Sequence, residues 1–198
     1  VVVRVPELRE VPEQPVSTQL LTGGTGALGV ATSRWLIESG ARGLVLTSRR
    51  GGTFASSTVS QLQQLEQCAS GGCEVRVVRC DGADLLDVRS LYAMAWLGCT
   101  PAVAVRGVWH LAGVLADGLL PQQGASALER VFSPKAHGAW ALQCACTGKP
   151  LRTFVLFSSV AALLGGAGQA NYSAANACLD ALAACRRARS TASTSVQW

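Results

Sequence analysis

The stretch Phe154-Val155-Leu156-Phe157-Ser158-Ser159 decides the fold of this chain. Four apolar residues in a row are typical of a strand that is buried on both faces of a parallel sheet. Two serines follow where such a strand ends, and that edge of a parallel sheet carries the ligand crevice. The run therefore predicts a parallel sheet with polar side chains at one edge.

A second segment, Gln169 to Asn176, supplies candidates for chemistry at that edge. Tyr172 and Asn176 are four residues apart, so a helix over this segment places both on one face. Together with Ser159, they could polarise a carbonyl group and give it a proton. A plainer interpretation, in which Ser159 caps a turn and Tyr172 fills the core, fits these two segments equally well.

Strand-like and helix-like segments alternate along the rest of the chain. The predicted strands are Thr18–Leu21, Gly43–Ser48, Glu74–Cys80, Gly107–Leu111, Phe154–Phe157 and Thr194–Trp198. The predicted helices are Leu28–Gly40, Ser56–Ala69, Leu85–Leu97, Ala125–Thr147 and one that begins near Tyr172. This alternation predicts an α/β fold, a Rossmann-type doubly wound parallel sheet with strand order 3-2-1-4-5-6.

The two ends of the chain depart from this pattern. Residues 1–16 hold three prolines and alternating charges, and we expect a linker or an arm from an upstream region there. Residues 17–198 are expected to form one catalytic domain. Because a complete domain of this kind would continue, we expect it to be truncated after strand 6 and incomplete at its C-terminus.

The composition excludes several classes of protein. The 198 residues are 49% apolar and 15% charged, which is typical of a globular domain. The net charge of +5 is mild, and the one basic cluster, Arg186–Arg189, fits a solvated helix end, so we expect no nucleic-acid partner. No apolar run is long enough to cross a membrane and no signal peptide precedes the first strand, so a cytoplasmic protein is expected.

Eight cysteines invite a disulfide or metal interpretation. None forms a paired C-x-x-C motif, and Cys144 and Cys146 would point to different sides of a helix, which is a poor arrangement for zinc. Several lie within apolar patterns, where a free thiol acts as a small hydrophobe. We therefore expect reduced thiols and no metal site.

The motif Gly24-x-Gly26-x-x-Gly29 lies between a predicted strand and a predicted helix. In that context the glycines permit a tight turn and let the backbone approach a pyrophosphate at the helix N-terminus. The motif predicts a dinucleotide site, and a plain glycine-rich turn is the alternative.

The end of the second strand predicts which dinucleotide binds. A site specific for NAD usually places an acidic residue there, whereas this chain has Ser48-Arg49-Arg50. A guanidinium binds a 2′-phosphate and a carboxylate repels it, so the residues favour NADPH. Ordinary surface charge is the alternative for the two arginines. Asp81, just after the third strand, is placed to accept from the adenine amino group, and a loop cap would look the same.

At this point the sequence resembles the ketoreductase domain of modular polyketide synthases. This is a branch of the short-chain dehydrogenase/reductases that is shared with animal-type fatty acid synthases. The matching segments are TGGTGALG at Thr22–Gly29, LVLTSRRG at Leu44–Gly51, CDGAD at Cys80–Asp84, GVWHLAGVLADGLL at Gly107–Leu120, SPKAHGAWAL at Ser133–Leu142, FVLFSS at Phe154–Ser159 and GQANYSAANACLDALA at Gly168–Ala183. Together they extend from about Gln19 to the end of the chain.

The resemblance implies a catalytic tetrad of Lys135, Ser159, Tyr172 and Asn176. Ordinary short-chain dehydrogenases carry Tyr-x-x-x-Lys, whereas here Asn176 takes that place and Lys135 comes earlier, as in the synthase ketoreductases. Tyr172 would be the general acid, Ser159 would donate to the substrate oxygen, Lys135 would stabilise the phenolate, and Asn176 could hold a water in a proton relay. Without the resemblance, Lys135 would most simply be a solvated helix residue.

The resemblance and the glycine motif together give the predicted cofactor site. Its residues are Thr22, Gly23, Gly24, Thr25, Gly26, Leu28, Gly29, Ser48, Arg49, Arg50, Asp81, Ala112 and Gly113. His110, near the nicotinamide ribose in this family, is interpreted as structural, and His137 as a helix surface residue.

The implied activity is NADPH-dependent reduction of a β-ketoacyl thioester to the β-hydroxyacyl thioester. The implied partners are an acyl carrier protein and other synthase domains of the same polypeptide. Two alternatives stay open: an inactive domain that holds NADPH or only its own fold, and an epimerase acting on the α-carbon.

The segment after the fourth strand bears on stereochemistry. Ketoreductases that give the D-alcohol usually carry Leu-Asp-Asp there, and this chain has Leu115-Ala116-Asp117. The opposite type carries Trp eight residues before the tyrosine, where this chain has Leu164. Leu115 and Asp117 therefore predict a D-hydroxy product by steering the entry of the substrate, and a loop cap is the alternative for Asp117.

Overall fold

The computed structural model describes residues 17–51, 63–65, 67–69, 72–97 and 105–198. The predicted linker at residues 1–16 lies outside the described residues. So do Cys99 and the first part of the helix predicted at Ser56–Ala69. Of that helix, residues 63–65 and 67–68 are helical, and the side chain of Leu65 is fully buried.

Six parallel strands form one sheet in the order β3-β2-β1-β4-β5-β6, which confirms the predicted topology. The strands are β1 (Thr18–Thr22), β2 (Gly43–Ser48), β3 (Glu74–Arg79), β4 (Val105–His110), β5 (Thr153–Phe157) and β6 (Thr194–Val196). The sheet order reverses direction between β1 and β4, where open sheets of this kind bind their ligands.

Helices connect the strands. They are α1 (Ala27–Glu38), α2 (Leu85–Leu97), α3 (Ala125–Phe132), α4 (Gly138–Ala145), α5 (Ala161–Leu164) and α6 (Ala170–Ala188), with a 3₁₀ turn at Leu120–Gln122. Asp84 caps α2, since its Oδ1 accepts from the amides of Leu86 at 2.7 Å and Asp87 at 3.2 Å.

The core lies on both faces of the sheet, as the apolar strands predict. Leu20 belongs to one apolar cluster, which includes Phe154 and Leu179 of α6. Its neighbour Leu21 points to the opposite face and packs in a second cluster with Leu36 of α1. Consecutive residues of one strand therefore support two layers of helices, which makes the sheet edge the open part of the domain.

The long helix predicted at Ala125–Thr147 is corrected by the structure. A π-helical segment, Ser133–His137, separates α3 from α4 and contains Lys135. Pro134 lies at its start, and a proline in a helix interior lacks an N–H and clashes with the preceding turn. The wider π turn accommodates this residue, and such segments recur at functional sites.

The described cysteines are all free thiols, as predicted: Cys68, Cys73, Cys80, Cys144, Cys146, Cys178 and Cys185. Over the same parts of the chain, no group of three or more His, Cys, Asp or Glu side chains could hold a metal ion. None of the helices that the structure describes is both long enough and apolar enough to cross a membrane.

Candidate active site

The site is a crevice along the carboxyl ends of the strands. One part lies at the ends of β1, β2 and β3, and its lining residues include Thr22, Gly23, Thr25, Ser48, Arg49, Asp81, Ala112 and Gly113. The other part lies towards β5, and its lining residues include Gly26, Leu28, Gly29, Leu115, Lys135, Phe157, Tyr172 and Trp198. The structure thus brings the predicted cofactor and catalytic residues to one continuous edge.

The glycine-rich loop is closed by its own backbone. Gly23 has a φ of +67°, and a Cβ there would lie 2.8 Å from the Cα of Ala112. A Cβ on Gly29 would lie 2.5 Å from the carbonyl oxygens of Gly23 and Gly24, so α1 can start this close to the loop only with glycine. At Gly26, by contrast, a Cβ would meet only the Gly23 oxygen, at 3.3 Å. The backbone is therefore open to a ligand at Gly26 and closed by protein at Gly29.

The residues that follow β2 and β3 lie at the outer end of this crevice. Arg49, Arg50 and Asp81 are exposed, while the Ser48 hydroxyl accepts from the Arg50 amide at 3.2 Å. Asp81 Oδ1 accepts from the Ala83 amide at 3.1 Å, which is the contact of a loop cap. The adenine contact of Asp81 stays a prediction.

Lys135 is almost fully buried, contrary to its appearance in the sequence as a helix surface residue. Only 4% of it is exposed, and its ammonium donates to the Phe157 carbonyl at 3.0 Å and to Asn176 Oδ1 at 2.9 Å. Its Nζ lies 5.1 Å from the centre of the Tyr172 ring. A Cβ on Gly113 would lie 2.8 Å from Lys135 Cε, so this glycine leaves the space that the lysine stem occupies.

Helix α6 presents Tyr172 and Asn176 on one face, as their spacing predicts. The Asn176 amide nitrogen donates to the Tyr172 carbonyl at 2.8 Å, while its oxygen binds Lys135. Ser158 Oγ donates to the Asn176 carbonyl at 3.3 Å, which ties the helix to the end of β5. Ser159 is buried beside it, and its Oγ accepts from the Ala161 amide at 3.2 Å. Lysine, asparagine and tyrosine are therefore in direct contact, with the serine at the adjacent strand end.

His110 links the loop to the lysine. It is fully buried, its Nδ1 lies 2.6 Å from Thr22 Oγ1, and its Nε2 lies 2.9 Å from the Lys135 carbonyl oxygen. Because a carbonyl can only accept, Nε2 carries the proton, and in the neutral ring Nδ1 accepts from the Thr22 hydroxyl. These contacts agree with a structural role for His110, and His137 is exposed, as predicted.

Burial shifts the pKa values of both basic groups. Desolvation lowers the pKa of Lys135 to about 8, and the charge of Asp180 opposes this shift. Desolvation lowers the pKa of His110 to about 4, against the effect of its hydrogen bond to the Lys135 carbonyl. At neutral pH the site therefore holds a neutral imidazole next to a lysine that is still mostly charged.

The loop after β4 is tied to the start of α6. Asn171 Nδ2 donates to the Ala116 carbonyl at 2.8 Å, and the Gly118 amide donates to the Gly168 carbonyl at 2.9 Å. Asp117 is exposed and accepts from Gln169 Nε2 at 3.1 Å, while Leu115, 53% exposed, lines the crevice. Leu115 therefore lines the same opening as Tyr172, whereas Asp117 is bonded to the residue that precedes α6.

Sequence reasoning missed two residues of this region, Asp180 and Trp198. Trp198 lines the crevice with Lys135 and Tyr172, although it is the last residue of the predicted sixth strand. Asp180 carried one sequence signal, its spacing of four residues from Asn176, which places it on the same helix face.

Comparison with known proteins gives a consistent family. A family model described as the KR domain matches residues 17–198. The chain is 45% identical over 186 residues to the spectinabilin polyketide synthase system protein NorB of Streptomyces orinoci, which covers 93% of the chain and 8% of that protein. It is 37% identical over 223 residues to a 6-methylsalicylic acid synthase of Arthrobotrys oligospora, covering 100% of the chain and 12% of that protein.

Solved structures give the same result. An A-type ketoreductase structure from a modular polyketide synthase superposes with a TM-score of 0.84 at 38% identity, covering 93% of the chain and 38% of the other. The first ketoreductase of the tylosin synthase gives a TM-score of 0.80 at 40% identity, with the same coverage of both chains. A C2-type ketoreductase also matches, with a TM-score of 0.76 at 35% identity, over 93% of the chain and 38% of the other. Because both an A-type and a C2-type ketoreductase match, structural similarity does not assign the chain to one of these types.

Proposed function

The chain belongs to the KR domain family, the ketoreductase domains of polyketide synthases within the short-chain dehydrogenase/reductase superfamily, and we propose that it reduces a β-ketoacyl thioester with NADPH. The observation that carries the proposal is the buried contact of Lys135 with Asn176 and Tyr172 beside a dinucleotide-type loop. A charged lysine next to a tyrosine at a cofactor crevice suits the delivery of a proton to a carbonyl oxygen.

The residues present fit a dinucleotide. Gly26 leaves its backbone open at the start of α1, where the helix amides attract a pyrophosphate. Arg49 lines the same crevice and supplies a cation for a 2′-phosphate, with Arg50 next to it. When bound, NADPH supplies the hydride, which adds to the carbonyl carbon of the substrate.

In this proposal, side chains of the protein supply the proton that the reaction needs. We assign Tyr172 as the acid that protonates the developing alkoxide and Ser159 as a hydrogen-bond donor to the same oxygen. Lys135 stabilises the phenolate that Tyr172 leaves, and Asn176 holds Lys135 through its Oδ1. Both polar ends of the Asn176 amide already bind protein groups, so any water in a relay would use the second lone pair of Oδ1 or the second N–H of Nδ2.

The length of the relatives supports a proposal for the substrate carrier and the neighbouring domains. The chain spans 8% of the spectinabilin synthase protein and 12% of the 6-methylsalicylic acid synthase, so both hold much more than this domain. We propose that the substrate arrives as a thioester on an acyl carrier protein, among other synthase domains of the same polypeptide. The product assigned from Leu115 and Asp117 is the D-hydroxy thioester.

The test uses the synthase polypeptide that carries the domain and a carrier-bound β-ketoacyl thioester. Oxidation of NADPH with formation of the β-hydroxy product is expected, and Tyr172→Phe is expected to lower kcat by roughly 10²-fold or more while NADPH still binds. Full activity of Tyr172→Phe would refute the assignment of the acid. Tight NADPH binding without reduction would indicate a binding domain, and loss of an α-deuterium without reduction would indicate an epimerase.

A further inference from the structure

Asp180 lies one helical turn beyond Asn176 on α6 and has no role in the proposed reaction. We propose that Asp180 is a positioning residue of this site, whose carboxylate stabilises the buried ammonium of Lys135 and fixes the strand that brings Trp198 to the crevice. This inference rests on the proposed function, because it concerns the lysine that we assign to catalysis.

The geometry of α6 places Asp180 behind the catalytic residues. Tyr172, Asn176 and Asp180 follow one another at intervals of four, so they form one stripe with a rise of about 6 Å per step. Tyr172 lies at the crevice, and Asn176 is fully buried against Lys135. Asp180 is therefore the next side chain along the face that holds the lysine.

The buried ammonium of Lys135 would be stabilised by a nearby negative charge. Its two hydrogen-bond partners, the Phe157 carbonyl and Asn176 Oδ1, carry no net charge, while burial disfavours the charged form. Of the carboxylates that the structure describes, Asp180 is the one whose charge acts on the pKa of Lys135, and it raises that pKa.

The other polar side chains of the site have contacts of their own. His110 binds Thr22 and the Lys135 carbonyl, Tyr172 contacts Lys135 through its ring, Ser158 and Ser159 bind backbone groups of Asn176 and Ala161, Ser195 binds Asp180 itself, Asp117 binds Gln169, and His137 on the π-helical segment is exposed. The carboxylate of Asp180 is thus the group that offsets the burial of the ammonium.

The same carboxylate fixes β6. Asp180 Oδ1 accepts from Ser195 Oγ and from Gln197 Nε2, the latter at 3.0 Å. The next residue, Trp198, lines the crevice with Lys135 and Tyr172, and its carbonyl accepts from the Val160 amide at 3.4 Å. One side chain therefore connects the charge of the catalytic lysine to a wall of the crevice.

The test separates the charge from the hydrogen bonds. Asp180→Asn keeps an acceptor oxygen for β6 and removes the charge, and Asp180→Ser removes the charge with a smaller side chain. The pKa of Lys135 is read by NMR of ¹⁵N-labelled lysine side chains, with the exposed Lys149, the chain's other lysine, as an internal reference. Both variants are expected to lower the pKa of Lys135 by roughly half a pH unit or more, while the Lys149 titration stays unchanged.

Ser195→Ala is the matched control, because it removes a β6 contact and keeps the charge. It and Asp180→Glu are expected to leave the pKa of Lys135 at the wild-type value. In active protein, the alkaline limb of kcat/KM is expected to move to lower pH in Asp180→Asn and to stay in place in Ser195→Ala. An unchanged Lys135 titration in both charge-removing variants, or an equal shift in Ser195→Ala, overturns the inference. A wild type that reduces no β-ketoacyl thioester refutes the proposed function instead, and the NMR titration still decides the role of Asp180.

Discussion

Two polar regions share the carboxyl edge of the sheet and differ in burial. At the β4–β5 end, Lys135, His110 and Asn176 are buried, and each is hydrogen bonded to another element. At the β2 end, Arg49 and Arg50 are exposed. Buried polar groups that are fully paired are held in place before any ligand arrives, whereas exposed cations keep their water and their side-chain freedom until a ligand orders them.

This difference in burial should separate the residues that set the rate of the reaction from the residues that set the choice of cofactor. Electrostatic groups fixed in a water-poor site act strongly on a developing charge, so the buried region should control the rate of the reaction. Charges in water act weakly and are screened by salt, so the exposed region should control the choice between similar cofactors. Variants at the two ends should therefore differ in the size of their effect and in what they change.

The largest expected effect is at Lys135. Lys135→Met removes the ammonium and leaves the Phe157 carbonyl and Asn176 Oδ1 without their donor, so kcat/KM for reduction should fall by roughly 10²- to 10⁴-fold. Lys149→Met, at an exposed position, is the control and should keep wild-type kinetics. A Lys135→Met enzyme within a few fold of wild type would show that the buried region does not control the rate.

The second prediction concerns His110 and the pH dependence of the free energy of unfolding. Its pKa of about 4 in the folded chain lies below the value of about 6.5 for an unfolded histidine, so the unfolded state binds a proton first as pH falls. The free energy of unfolding should therefore drop by about 3 kcal/mol from this group between pH 7 and pH 4. Urea titrations at several pH values measure the drop.

The matched control is the chain's other histidine, His137, which is exposed. His110→Gln should remove most of the pH dependence in that window, and His137→Gln should leave it. Equal pH dependence in wild type and His110→Gln would show that the imidazole is not held neutral by burial.

The glycine loop lies between the two regions. Its two glycines should likewise differ, because a substitution at the enclosed one should affect stability and a substitution at the open one should affect cofactor binding. Gly29→Ala places a Cβ 2.5 Å from backbone atoms of Gly23 and Gly24, so it should lower the free energy of unfolding by roughly 1–3 kcal/mol. Gly26→Ala meets one oxygen at 3.3 Å, so it should unfold near the wild-type temperature and weaken NADPH binding about tenfold. Thermal unfolding and NADPH titration measure the two effects. A loss of stability at Gly26 as large as at Gly29 would contradict the division.

The fold could be predicted from the sequence because its signals are local. Part of the site could not be predicted, because it depends on contacts between distant residues. The apolar runs around Leu20, Leu44 and Phe154 and the alternating helices sufficed for the strand order. Lys135 has no local signal of burial; its partners are Asn176, 41 residues away, and the end of β5, 22 residues away. Only the family resemblance singled it out. The π segment and the role of Trp198 as a wall depend on packing between distant elements, which periodicity does not report.

The exposed region should give a smaller effect, limited to the choice of cofactor. We expect NADPH to exceed NADH in kcat/KM by at least about tenfold, since 1.4 kcal/mol of charge-assisted contact gives that factor. Arg49→Ser with Arg50→Ser should bring the ratio towards one with little change in the NADH rate, and added salt should lower the wild-type ratio. Arg189→Ser, an exposed arginine at the end of α6, is the control. Equal kcat/KM for the two cofactors in wild type would remove both arginines from this role.

The smallest expected effect concerns the face of the ketone, and it tests whether an exposed residue can act on product stereochemistry at all. A D:L ratio of 99:1 needs only about 2.7 kcal/mol between two transition states, so a few contacts at the groove suffice. Asp117 is exposed and holds Gln169 at 3.1 Å, while Leu115 lines the crevice beside Tyr172. The loop is also tied to α6 by backbone contacts that do not involve the Asp117 side chain, such as Gly118 to Gly168.

Asp117→Ala should therefore leave the D product in excess and lower the D:L ratio by less than about tenfold, because it removes one exposed hydrogen bond worth about 1 kcal/mol. Chiral chromatography of the β-hydroxy product, released from the carrier, gives the ratio. Gln169→Ala removes the same contact from the other side and should change the ratio equally if Asp117 acts through Gln169. A change with Asp117→Ala alone would mean that the carboxylate contacts the incoming substrate itself, and a predominantly L product from wild type would show that Leu115 and Asp117 do not steer entry.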